Sequence, residues 1–142
     1  MSTDSTTIYP KLIALDVAET FLAEFPHSLA ETPLVIETAM MVGQHLADLG
    51  KPGEWMHLDV ERFYKQIGHL DENELIPMSL TLIGIYGWLG SIGILPTRRC
   101  KSVLQEIARV GPQVSYLLTL AKRGQRLLDT TEMAVADTVQ LN

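Results

Sequence analysis

From Leu75 to Leu95 the chain reads LIPMSLTLIGIYGWLGSIGIL, an uncharged run closed by Pro96. Such a run is either a buried helix in a globular domain or a membrane span. A helix from Pro77, where proline is tolerated in a first turn, to Leu95 would rise about 1.5 Å per residue and reach about 28 Å, barely the hydrocarbon thickness of a bilayer. Ser79, Thr81, Tyr86, Trp88 and Ser91 temper its hydrophobicity. The reading adopted is a central buried helix over about 77–95, with a span as the alternative.

Within it Gly84, Gly87, Gly90 and Gly93 recur at every third residue. In a solvated helix interior each would cost about 1 kcal/mol relative to alanine, so close backbone approach by neighbours is expected to offset them. At about 100° per residue the row winds around the helix, which implies more than one neighbour. The glycine spacing of four that favours transmembrane dimers is absent.

The flanking segments carry helical periodicity. Leu15, Ala18, Leu22 and Phe25 mark one face between Pro10 and Phe25, and Pro26 closes it. Ser28 and Glu31 have the spacing of a capping box for one short turn. Thr32 and Pro33 open a second helix with a seam of Val35, Ala39, Val42, Leu46 and Leu49, stopped by Gly50, Pro52 and Gly53. His45 sits at the edge of that seam with Leu49 one turn on, so it reads as a boundary residue and not a ligand. From Glu54 to Leu70 the residues Met56, Val60, Phe63, Ile67 and Leu70 repeat as two heptads, predicting a third helix whose partner lies in the same domain.

On that segment Glu54, His57 and Glu61 form the one grouping with metal-like spacing. Glu-x-x-His serves carboxylate-bridged bundles, but a second such motif is missing and could come only from a symmetric dimer, so no metal is expected. Asp71 to Glu74 caps and complements the N-terminal end of the central helix.

The net charge of −6 is unevenly distributed. Residues 1–74 hold thirteen acids and four bases, a balance of −9, while residues 75–142 hold seven bases and four acids. The helix expected after Pro96, with Thr97 as its cap, buries Val103, Leu104, Ile107, Ala108 and Val110 and ends at Gly111 and Pro112. Its first turn carries Arg98, Arg99 and Lys101, at the end of a helix dipole that favours acids. An anion would relieve the conflict: the chain's own acidic half, a partner's carboxylates or a phosphate. A last helix from Gln113 to about Leu128 adds Lys122, Arg123 and Arg126 to the basic surface. Two helices joined at Gly111 and Pro112 invite comparison with a helix-turn-helix, but without interleaved aromatic or amide side chains nucleic acid is the weakest partner class.

Composition closes off other classes. One cysteine excludes an internal disulfide framework, and 46% hydrophobic residues argue against disorder of the body. MSTDSTT reads as a tail over residues 1–7, without the basic start and apolar run of a signal peptide. The glycine row is not a phosphate-binding fingerprint, and no nucleophile motif is present, so no catalytic residue and no cofactor is assigned.

The expected fold is all-α, one bundle of five or six helices over residues 8–128, with 129–142 a tail or short docking helix. The expected function is a non-catalytic, cytoplasmic adaptor, inhibitor or accessory subunit that binds a protein partner through Arg98, Arg99, Lys101, Lys122, Arg123 and Arg126, or through a homodimer at the glycines. The alternatives, in order, are a single-span inner-membrane subunit with its C-terminal side cytoplasmic, a metal- or ligand-binding bundle, and a DNA-binding protein.

Overall fold

The computed structural model describes residues 11–25 and 32–111. In these residues the protein is all-helical, a single bundle of α1 (Ala14–Glu24), α2 (Thr32–Asp48), α3 (Val60–Gln66), α4 (Glu72–Ser91) and α5 (Thr97–Val110), with a 3-10 turn over Trp55–His57. The expected helix over Gln113 to Leu128 and both tails lie outside the described residues.

The uncharged stretch forms most of α4, but its bounds shift. The helix starts at Glu72, not Pro77, because Asp71 and Glu74 form a reciprocal capping box: Asp71 Oδ1 accepts the Glu74 N–H at 3.1 Å, and Glu74 Oε1 accepts the Asp71 N–H at 3.3 Å. Pro77 therefore lies inside the helix and offers no N–H to the Asn73 carbonyl four residues back. The helix ends at Ser91, where the Ile94 N–H reaches the Leu89 carbonyl at 3.0 Å and the Gly93 N–H reaches Gly90 at 3.2 Å. That pair of bonds, with Gly93 at φ 79°, is a Schellman motif. α2 closes in the same way at Gly50, as its glycine led one to expect.

Among the described residues no helix is long and apolar enough to cross a membrane. The uncharged residues are instead core. Met78, Leu82, Ile85, Tyr86 and Leu89 are buried, as are Val103, Leu104 and Ile107 of α5 and Val35, Ala39, Val42 and Leu46 of α2. α4 packs on α5 and α2, α1 on α2, and α3 on α5.

Of the glycine row, Gly84, Gly87 and Gly90 lie in α4 and Gly93 does not. Gly84 does mark a close approach, since a Cβ built there would stand 3.3 Å from the Phe21 ring. Phe21 in turn meets Trp88 edge-on, with ring centroids 5.6 Å apart. Gly43 of α2 has the same use, with Ala14 of α1 only 3.0 Å from the site of its missing Cβ.

The third helix is much shorter than its heptad pattern predicts. Asp59 interrupts it: its backbone is extended at φ −96° and ψ 94°, and its carboxylate accepts the Arg62 N–H at 3.2 Å, so it starts a new helix where the pattern expected an old one to continue. The 3-10 turn before it turns Trp55 into the core, where the indole N–H donates to the Leu12 carbonyl at 3.1 Å. The Trp55 carbonyl accepts the Tyr86 hydroxyl at 2.6 Å. Leu12, Trp55 and Tyr86 thus tie the N-terminal arm, the turn and α4 together.

Candidate functional site

α5 opens on a basic turn that holds Arg98, Arg99 and Lys101. Thr97 is not the cap expected of it: Pro96 holds the cap position without a side-chain bond, and the Thr97 hydroxyl lies 3.5 Å from the Gly90 carbonyl. Arg99 is half-buried and turns back toward the 3-10 turn. Its Nε–H donates to the Met56 carbonyl at 2.6 Å, one Nη2–H to the Leu58 carbonyl at 2.6 Å, and Nη1 to the Ser102 hydroxyl at 3.3 Å. Among the described residues the charge is answered by backbone carbonyls where the 3-10 turn ends, those of Met56 and Leu58. Arg99 therefore leaves the docking surface and becomes a brace. Arg98 is exposed and Lys101 half-buried on the same turn, while Lys122, Arg123 and Arg126 lie outside the described residues.

Beside this brace a cavity of about 450 Å³ opens between the 3-10 turn and α5, walled by His57, Asp59, Val60, Arg99 and Glu106 among others. Glu54 and His57 do meet, at 3.5 Å between Oε1 and Nε2. Glu61, however, belongs to α3, beyond the break at Asp59. Among the described residues no group of three His, Cys, Asp or Glu side chains is placed to hold a metal.

His45 is deeper than its place in the pattern suggests. It is buried, its Nδ1 lies 2.7 Å from Gln66 Oε1, and its Nε2 accepts the Asp59 backbone N–H at 3.2 Å. With Nε2 an acceptor, Nδ1 carries the proton, which fixes the neutral tautomer. The ring also packs edge-on against Phe63, centroids 5.5 Å apart. His45 is thus a polar pin between α2 and both ends of α3, Asp59 before its first turn and Gln66 in its last.

Cys100 lies on the buried face of α5, and burial pushes its thiol up to about 12, with the Arg99 charge pulling the other way. Such a thiol is not a nucleophile at neutral pH. Burial likewise raises the Tyr64 hydroxyl to about 12, against the hydrogen bond it shares with Ser79, and holds Tyr86 well above the usual phenol range.

A separation that the linear charge count only half reveals appears once the helices are placed. α1, α2 and α4 carry Asp16, Glu19, Glu24, Glu37, Asp48, Glu72 and Glu74 and not one Lys or Arg. α3 and α5 carry Arg62, Lys65, Arg98, Arg99, Lys101 and Arg109 against Glu61 and Glu106. α4 packs on α2 and α3 on α5, like charge beside like, while α4 also packs on α5 and sets an acid-bearing helix against a basic one. Between α2 and α4 lie two adjoining cavities, of about 280 Å³ and about 240 Å³, that share Leu34 and Pro77 as walls. The heptad and seam patterns did not point to them. The absence of bases from 12–50 and from 66–97 was the signal available in the sequence.

Comparison of the chain with protein-family models, with curated proteins and with solved structures gave no match. The class defined by the fold is therefore the all-α bundle itself, and the functional reading rests on charge and shape.

Proposed function

We propose that this chain is a non-catalytic helical adaptor, inhibitor or accessory subunit that works by docking to another protein. One observation carries the reading: acids and bases are sorted onto different packed helices, a distribution that costs self-repulsion on each face and is repaid when a partner of opposite charge binds. The basic contact residues in α5 are Arg98 and Lys101, with Arg99 bracing their turn from behind; Lys122, Arg123 and Arg126, which the sequence reading assigns to the same contact, lie outside the described residues.

The test is charge reversal that spares the brace. Full-length protein carrying Arg98→Glu and Lys101→Glu should keep its helical circular dichroism and lose a stoichiometric partner that the native chain captures and mass spectrometry identifies. Capture unaffected by the reversal, or no stoichiometric partner at all, would overturn the reading.

A further inference from the structure

The groove between α2 and α4 shares no lining residue with the basic first turn of α5. Its two cavities join at Leu34 and Pro77 into one trough that follows α4 from Asn73 to Gly84, roughly 16 Å at 1.5 Å per residue, or about three turns of a helix laid along it. One end is apolar, floored by Phe21, Val35 and Leu80, with Gly84 letting the floor come close. The other end adds Met41 and Leu70 but is rimmed by Glu37 and Glu74, both exposed. Neither wall contains a Lys or Arg. Pro77 supplies no N–H for the Asn73 carbonyl, which leaves hydrogen-bonding capacity at the acidic end.

We propose that this trough receives an amphipathic helix of a partner protein, its apolar stripe laid on Leu34 and Leu80 and its Lys or Arg flank set against Glu37 and Glu74. The proposal rests on the binding-protein reading above and adds to it the partner's chemistry. Charge tells against a two-fold copy, anionic lipid and nucleic acid. A second copy related by a two-fold axis would bring acid onto acid, since the same patch faces itself. A second copy presenting the outer face of α5 would offer Arg98, Gln105 and Arg109, which are exposed and carry no apolar stripe to fill the trough. Anionic lipid and nucleic acid are repelled by the same carboxylates.

The experiment uses the full chain and three labelled synthetic helices. One has leucine at i, i+4, i+7 and i+11 with lysine elsewhere, one has glutamate in place of each lysine, and one has the lysine composition in scrambled order. By fluorescence anisotropy the lysine helix should bind saturably, and the glutamate and scrambled helices about tenfold more weakly or not at all. Glu37→Lys, at an exposed position, should weaken the lysine helix about threefold or more with circular dichroism unchanged. Leu80→Ser should weaken it about tenfold by removing apolar contact. Equal binding of the lysine and glutamate helices, or no effect of Glu37→Lys, overturns the proposal. So does a photo-crosslinker at Thr81 that joins the trough to a second copy or to residues 113–142 of the same chain. These results are separable from the test of the basic turn, because Arg98→Glu with Lys101→Glu should leave peptide binding intact.

Discussion

Arg99 donates its Nε–H to the Met56 carbonyl at 2.6 Å, across forty-three positions of sequence. A second bond from Nη2 to the Leu58 carbonyl, also 2.6 Å, makes the guanidinium a two-point fork that holds the 3-10 turn onto α5. Arg99→Ala frees two carbonyls at once, and since a bond to a charged group contributes about 1.5–3 kcal/mol and the pair shares one side chain, the expected loss is about 2–4 kcal/mol in urea unfolding. Arg99→Lys should recover less than half of it, because an ammonium cannot reproduce the fork. Arg98→Ala, one residue earlier and exposed, should change stability by less than about 0.5 kcal/mol.

Alkaline pH should unfold the protein earlier than the exposed surface suggests. Burial pushes Cys100 and Tyr64 up to about 12 and, as the largest cause, holds Tyr86 well above the usual phenol range. Each folded state thus holds a proton that the unfolded chain releases nearer 9.0 for the thiol and 10.0 for the phenols. The stabilisation is complete below those unfolded values and falls as pH rises through them toward the folded ones. The slope is about 1.4 kcal/mol per pH unit for each group in that window. Near-ultraviolet phenolate absorbance should show two tyrosines ionising only together with loss of the helical signal. The same burial should make Cys100 inert to a thiol reagent at pH 8 until denaturant is added; rapid labelling of the native protein would refute its place on the buried face of α5.

His45 should behave as a structural residue whose loss is felt at the start of α3. His45→Leu keeps bulk against Phe63 but leaves the Asp59 N–H without its acceptor, and a stranded donor costs about 1–3 kcal/mol. Hydrogen exchange should locate the effect, with α3 amides losing more protection than those of α4. Uniform loss across both helices would mean that the ring acts only through packing.

How far the sequence discloses this structure depends on which interaction decides each element. Helices bounded by local chemistry were largely legible: Gly50 ends α2 and Gly111 follows α5, and Asp71 with Glu74 caps α4 as expected, although its start was placed at Pro77 and its end at Leu95. Elements decided by long-range partners were not. The heptads from Met56 to Leu70 suggested one helix, yet Asp59 caps a shorter one and Trp55 is drawn inward by Leu12 and Tyr86, neither near it in sequence. Arg99 looked like part of a docking patch for the same reason, because nothing in a run of bases announces that one of them reaches carbonyls forty residues away. The charge segregation lay in plain sight, but it acquired meaning only when α2 and α4 proved to be walls of one groove.

The glycine row, read as one packing device, divides into two kinds of residue that substitution should separate. Gly93 is outside α4 at φ 79°, and a Cβ there would meet nothing within 4 Å. Only backbone strain opposes a side chain, so Gly93→Ala should cost about 1–2 kcal/mol and Gly93→Asn distinctly less, because asparagine tolerates the left-handed region. Gly84 has ordinary helical geometry, and the obstacle to a side chain is the Phe21 ring at 3.3 Å, itself packed against Phe25 and Trp88. Alanine there gains about 1 kcal/mol of helix propensity while pressing on the Phe21 ring, so Gly84→Ala should be close to neutral. Gly84→Val adds bulk without further propensity and should cost about 2 kcal/mol or more. Pairing each variant with Phe21→Leu in a double-mutant cycle decides the matter: the Gly84→Val penalty should shrink when the ring is removed, and the Gly93→Ala penalty should not.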